Sequence, residues 1–233
     1  MLTTLTHETV FAVNTGSSLS FWIQVYFSKI DSAFVSIQYT TAMPRVAPVK
    51  TELTFEDYVR FEMTSQVRHE FVDGNLFVMA GGTKRHNSLG IMLCARLLPF
   101  VQAKGCSIYF NDVIARMPSG KGYYPDLMVT CDSSLDSSRT VLRPSIIVEV
   151  LSSSTEAIDR GEKWEQYQTI ASLEQYVLLS QNEAVAEIYS RQENKWIYER
   201  ISGDMRLTFS SLELEIVLSE LYQNLPATEP EDS

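Results

Sequence analysis

Tyr124-Pro125-Asp126-Leu127-Met128-Val129 and Ile146-Ile147-Val148-Glu149-Val150-Leu151 are the two stretches that decide the fold. Each sets one carboxylate in a short apolar run, the pattern of a buried strand. A charge in such a strand is costly unless it is paired or holds a metal. Proline is tolerated at a strand's first residue, so Pro125-Asp126 can open one. Alternation along the second strand puts Glu149 on the face of Ile147 and Leu151, opposite Val148 and Val150. Two carboxylates brought together raise each other's pKa unless a cation intervenes. Mg²⁺ takes few carboxylates plus water and phosphate oxygens, so the pair Asp126 and Glu149 suggests a Mg²⁺ (or Mn²⁺) site and a hydrolytic enzyme. Taken singly, each acid reads as well as a turn cap or a solvent-facing edge residue.

Working outward, the next positive group is Lys163. Asp159, Lys163 and Tyr167 are spaced i, i+4, i+8 and share one helical stripe just after the Glu149 strand and the loop Ser152-Ser153-Ser154-Thr155. A lysine there can orient a water or balance charge on a phosphate; alone, it reads as an ordinary Asp159–Lys163 surface pair. Glu70 opens a hairpin strand and is a further candidate acid. His86 lies in Gly81-Gly82-Thr83-Lys84-Arg85-His86 at the start of a long helix, where Lys84 and Arg85 suit a phosphate contact. The segment lacks Walker spacing, and no Gly-x-Ser-x-Gly occurs.

The rest of the chain fits one mixed α/β domain. Thr54 caps a helix to about Met63. Asp73-Gly74 turns a hairpin between Glu70–Val72 and Asn75–Met79. Lys84 to Ala103 is helical, with Leu89, Leu93, Leu97 and Phe100 inward and Gly105 beyond its end. Strands are predicted at Ser107–Met117, Tyr124–Thr130, Ser145–Leu151, Gln175–Leu179, Ala184–Ser190 and Trp196–Ile201. A loop and helix fill Ser154–Ser172, with Trp164, Tyr167 and Ala171 on one face. A Ser-x-x-Glu cue suggests a last amphipathic helix over Ser211–Tyr222. Residues 51–222 are therefore read as the domain, 1–50 as a poorly structured extension with Met43 a possible start, and 223–233 as an acidic disordered tail.

The 233 residues are 45% hydrophobic and 21% charged, normal for a globular protein. A net charge of −10 argues against broad, non-specific nucleic-acid binding but not against a local groove. Cys94, Cys106 and Cys131 are odd in number and widely spaced, which indicates neither a disulfide framework nor a zinc site and favours a reducing cytoplasm. The apolar stretch Leu19–Phe27 is too short to cross a membrane, and Lys29 follows it rather than precedes it, unlike a signal peptide.

Tyr124-Pro125-Asp126, Val148-Glu149-Val150-Leu151-Ser152-Ser153-Ser154-Thr155, and Asp159, Lys163 and Tyr167 together resemble the Uma-two family of restriction-endonuclease-like proteins. His69-Glu70-Phe71-Val72-Asp73-Gly74 and His86 match its upstream pattern, and the resemblance runs from Leu53 to Leu221. The family belongs to the PD-(D/E)XK nucleases. It implies a restriction endonuclease-like central mixed sheet flanked by helices, with Mg²⁺-dependent cleavage of DNA phosphodiesters. On this resemblance Asp126 and Glu149 are metal ligands, Glu70 is an added acid, and Lys163 replaces the lysine that the superfamily carries where Leu151 stands. His86, Lys84 and Tyr167 become accessory or phosphate contacts, and a homodimer cutting two strands is one expected assembly. The competing readings are an inactive nucleic-acid-binding or assembly protein on the same fold, and a hydrolase of small phosphoesters.

Overall fold

The computed structural model describes residues 53–79 and 81–228, together with the backbone of four strands before them. The chain divides into two compact units, residues 1–44 and 45–233. In the first, β1 (His7–Val13) pairs antiparallel with β2 (Phe21–Ser28), and β2 with β3 (Phe34–Ile37). Most of the sequence reading of residues 1–50, and the tail from 229 on, lie outside the described residues.

In the second unit the order is β4 (Val49–Lys50), α1 (Phe55–Glu62), β5 (His69–Val72), β6 (Asn75–Val78), α2 (Lys84–Ala103), β7 (Ser107–Phe110), β8 (Ile114–Arg116), β9 (Gly122–Tyr123), β10 (Leu127–Thr130), β11 (Thr140–Val141) and β12 (Pro144–Leu151). Then come α3 (Glu156–Ile158), a π turn at Asp159–Lys163, α4 (Trp164–Tyr167), β13 (Gln175–Ser180), β14 (Val185–Gln192), β15 (Lys195–Ser202), β16 (Arg206–Phe209) and β17 (Leu214–Val217). The main sheet runs β15-β14-β13-β12-β10-β7, and a second runs β11-β8-β9-β5-β6-β4. Only β12–β13 is parallel in the main sheet; this is the mixed α+β architecture, a central mixed sheet with helices against it.

Local chemistry explains most elements. Thr54 and Asp57 form a reciprocal capping box at α1, with Asp57 N donating to Thr54 Oγ1 over 3.2 Å and Thr54 N to Asp57 Oδ2 over 3.1 Å. The Asp73-Gly74 turn has φ of 50° and 78°, the left-handed pair that a two-residue hairpin requires. On α2, Leu89, Leu93, Leu97 and Val101 are fully buried against Leu127, Val129, Ile146, Val148 and Val150. The opposite face of the sheet buries Ile147, Leu151, Tyr176 and Leu178 beneath Tyr167, Ile170 and Leu173. The alternation expected for β12 therefore holds, and Glu149 lies on the second face.

Several expectations fail for identifiable reasons. Ser107–Met117 is not one strand: Asn111 and Asp112 take positive φ (51° and 48°), which ends β7 and sends β8 into the second sheet. Phe100 is 39% exposed, and Val101 takes the buried position on α2. Ala171 is exposed because the helix ends at Tyr167, and Ile170 and Leu173 are buried instead. Ser211–Tyr222 is no α-helix: Leu212, Leu214, Ile216 and Leu218 are buried while Glu213 and Glu215 are exposed, a period of two, and β16–β17 form a hairpin. Cys106 and Cys131 form a disulfide. They flank Ser107 and Thr130, which are register partners in β7 and β10, so the 25-residue separation in sequence hides a cross-strand contact. The pairing removes the cysteine argument for a reducing compartment. Among the described residues no helix is long and apolar enough to cross a membrane.

Candidate active site

The register of the main sheet creates the site. Leu127 pairs with Val148, so the residue before β10, Asp126, stands across from Glu149. The two are latched through the backbone: Asp126 N donates to Glu149 Oε2 (3.2 Å), and Val150 N donates to Asp126 Oδ2 (2.7 Å). Asp126 thus replaces the ladder partner that Val150 lacks where β10 ends. The other oxygen of Asp126, Oδ1, meets His86 Nε2 at 3.1 Å. His86 is in the first turn of α2, with its amide bonded to the Thr83 cap. Burial would lower the His86 pKa, but the hydrogen bond and charge of Asp126 outweigh it and raise the pKa.

Lys163 sits on the other side of Glu149. Its Nζ lies 3.0 Å from Glu70 Oε1, 3.1 Å from Glu149 Oε1 and 3.1 Å from Asp159 Oδ1. The Asp159 contact is an ion pair at a distance where the hydrogen-bond geometry is not met. Tyr167 donates from its hydroxyl to Glu149 Oε1 (2.9 Å), and Tyr176 OH donates to the Asp159 carbonyl (3.0 Å). The π turn lies between Asp159 and Lys163; such turns recur at functional sites because they re-aim side chains within a helix. Glu70, Glu149, Asp159 and Lys163 are all buried.

Three carboxylates therefore surround one lysine, and a fourth, Asp126, stands across from Glu149. Burial raises the Glu149 pKa well above its ordinary value, and Asp159, Asp126 and Glu70 add to the rise against the opposing effect of Lys163. Burial alone would lower the Lys163 pKa, but Glu149, Glu70 and Asp159 reverse this and hold it well above its ordinary value, so Lys163 is a fixed cation. The uncompensated negative charge and the hard oxygen donors suit a divalent cation that keeps much of its coordination for water and phosphate. Among the described residues, no three His, Cys, Asp or Glu side chains converge closely enough to enclose an ion unaided.

The structure thus brings together Asp126, Glu149, Lys163, Glu70, His86 and Tyr167. Lys84 is exposed at the start of α2, outside this buried cluster. Arg85 is not free for phosphate: its guanidinium donates to the carbonyls of Gln181 (2.5 Å) and Pro226 (2.6 Å). Leu151, where the sequence resemblance leads one to expect a lysine, is buried in the apolar layer. Sequence reasoning missed Glu62, which is fully buried beside the Tyr124 and His69 segments. Its signal was present: Phe55, Tyr58 and Glu62 fall at i, i+3, i+7, which puts a carboxylate on the apolar stripe of α1.

Comparison with known proteins agrees with this fold. The chain is 29% identical over 177 residues to the uncharacterized protein slr1290 of Synechocystis sp., covering 75% of this chain and 93% of that one. It is 30% identical over 158 residues to the uncharacterized protein sll1609 of the same organism, covering 65% and 89%. The crystal structure of a "putative nuclease belonging to DUF820" from Anabaena variabilis has the same fold, with a TM-score of 0.63, 12% identity, and coverage of 75% of this chain and 99% of that one. The family model Uma2, described as "Putative restriction endonuclease", matches residues 55–220. With the match spanning every element that builds the site, this chain belongs to the Uma2 family.

Proposed function

We propose that this protein is a Mg²⁺- or Mn²⁺-dependent endonuclease that hydrolyses phosphodiester bonds in DNA. The observation that carries the reading is the convergence of buried Glu70, Glu149 and Lys163 with half-buried Asp126, from two sheets and a helix, into one cluster. Asp126 and Glu149 would hold the cation, which when bound supplies charge neutralisation at the phosphate and lowers the pKa of its water. His86 and the Val150 amide fix the Asp126 carboxylate. Tyr167 and Lys163 fix Glu149, and the lysine opposes the rise in its pKa that burial causes. Lys163 is also the cation nearest the site able to balance charge developing on a phosphate.

The test is nicking of plasmid DNA with and without Mg²⁺, comparing the native chain with Asp126→Ala and Lys163→Ala. Loss of metal-dependent cleavage in both variants is expected; equal cleavage in all three sinks the assignment. A second reading, an inactive binding or assembly protein on the same fold, is favoured by one observation: three carboxylates already occupy Lys163. No Mg²⁺ or Mn²⁺ binding by calorimetry, with DNA retained intact, selects that reading.

A further inference from the structure

Glu62 takes no part in the chemistry above, yet its side chain is fully buried at the end of α1. Its Oε1 lies 2.7 Å from His69 Nδ1. Its Oε2 accepts from the His69 amide (3.3 Å) and from Tyr124 OH (2.9 Å). A carboxylate only accepts, so Nδ1 is the protonated nitrogen of His69. Among the described residues, every donor to Glu62 comes from one of two segments, and each segment delivers a site acid. His69 directly precedes Glu70. Tyr124 stands two residues before Asp126, joined through Pro125, whose ring fixes the backbone between them.

We propose that Glu62 is a positioning residue, a single carboxylate that clamps the Glu70 strand and the Asp126 segment at a fixed separation. The catalytic part of this inference rests on the nuclease reading; the clamp itself does not. Two features support it. First, Tyr58, also on α1, donates to the His69 carbonyl over 2.6 Å, so α1 grips His69 by ring, amide and carbonyl together. With its neighbour held on three sides, Glu70 has little freedom beyond its own rotamer. Second, Asp126 is held at its side chain by Val150 N and His86 Nε2 and at its backbone by Glu149 Oε2 and the Asn111 amide, while Pro125 and Tyr124 tie the preceding segment to Glu62. Slack at Tyr124 reaches the Asp126 backbone through Pro125, and with it the amide that donates to Glu149. Burying a carboxylate for packing alone is unfavourable, and an apolar residue at the end of the stripe would pack against Phe55 and Tyr58 without that cost.

The experiment is site-resolved amide hydrogen exchange, with cleavage measured beside it, on the native chain, Glu62→Gln and Tyr124→Phe. Glutamine keeps the shape but offers one acceptor oxygen in place of two. Glu62→Gln is expected to speed exchange at the Asp126 and Val150 amides at least about 10-fold while leaving Val177 in β13 unchanged. In cleavage, the Mg²⁺ half-saturation should rise about 10- to 100-fold, as for removal of an outer-shell support, with KM for DNA within about twofold. Tyr124→Phe should reproduce the exchange change at Asp126 and Val150. Native-like exchange at both amides in a folded Glu62→Gln chain overturns the clamp. If that variant does not fold, native-like exchange in Tyr124→Phe overturns it equally. Should the native chain fail to cut DNA, the nuclease reading falls while the exchange comparison still decides the clamp.

Discussion

Replacing Lys163 with methionine isolates what the buried cation does for the folded state. Methionine is close in volume and unbranched, so the packing survives and the charge is removed. Three carboxylate contacts at 3.0–3.1 Å disappear. At an effective dielectric near 20, each has a gross Coulomb energy of about 5 kcal/mol. Most of that is offset by the desolvation of the ions, at several kcal/mol each, and breaking a buried pair from one side leaves a net loss of about 3–5 kcal/mol. The loss should depend on pH with a definite sign. The Glu149 pKa is already raised in the folded state, and Lys163 is the neighbour that opposes the rise. Without it the folded chain binds protons still more tightly than the unfolded chain, so stability falls as pH rises and returns as the medium is acidified toward the ordinary carboxylate range. Urea unfolding of the native chain and Lys163→Met at pH 8 and pH 5.5 measures this directly. If the proposed cation binds, Mg²⁺ at 100 times its Kd should restore about 2.7 kcal/mol to the variant. A variant as stable as the native chain at pH 8, or one whose deficit grows on acidification, refutes the electrostatic account of the cluster.

Two further outcomes concern the frame around the site. Cys131→Ser should cost about 3.5 kcal/mol, the chain-entropy value for a 25-residue loop, and reduction of the native chain should produce the same loss; identical urea midpoints with and without reductant would show that the cross-strand disulfide does not stabilise the fold. Gly122→Ala should destabilise by about 1–3 kcal/mol, because its Cβ would stand 2.9 Å from Tyr58 and 3.0 Å from Phe55 in a filled core; a thermal melt at or above the native midpoint would contradict the tight packing of α1 on β9.

Local signals read from sequence carried most of the main sheet and both long helices. Lys84–Ala103 is bounded as expected because Thr83 and Gly105 act within one turn of its ends. Asp126 and Glu149 were legible because a carboxylate in an apolar run is rare enough to need a reason. Lys163 was legible from its stripe with Asp159 and Tyr167, although the turn that carries it is π rather than α. What failed was non-local or rested on a single cue. The Ser-x-x-Glu cue near Ser211 outweighed a period-two pattern that the hairpin obeys. The disulfide depends on the register of two strands, which no spacing within either one reveals. Glu62 escaped because a lone acid in a short helix looks solvated until its stripe is traced.

The π turn at Asp159–Lys163 makes residue count a property of the site. A five-residue hydrogen-bonded loop differs from an α-helical one by a single residue. Deleting Gly161, whose Cβ position is open, would let the helix close as regular α and bring Asp159 from four residues before Lys163 to three. Asp159 would stay on the face of the lysine, but its 3.1 Å contact would have to be remade at i,i+3 spacing. Substitution at Gly161 is sterically free, whereas a one-residue deletion there resets the spacing of Asp159 against Lys163.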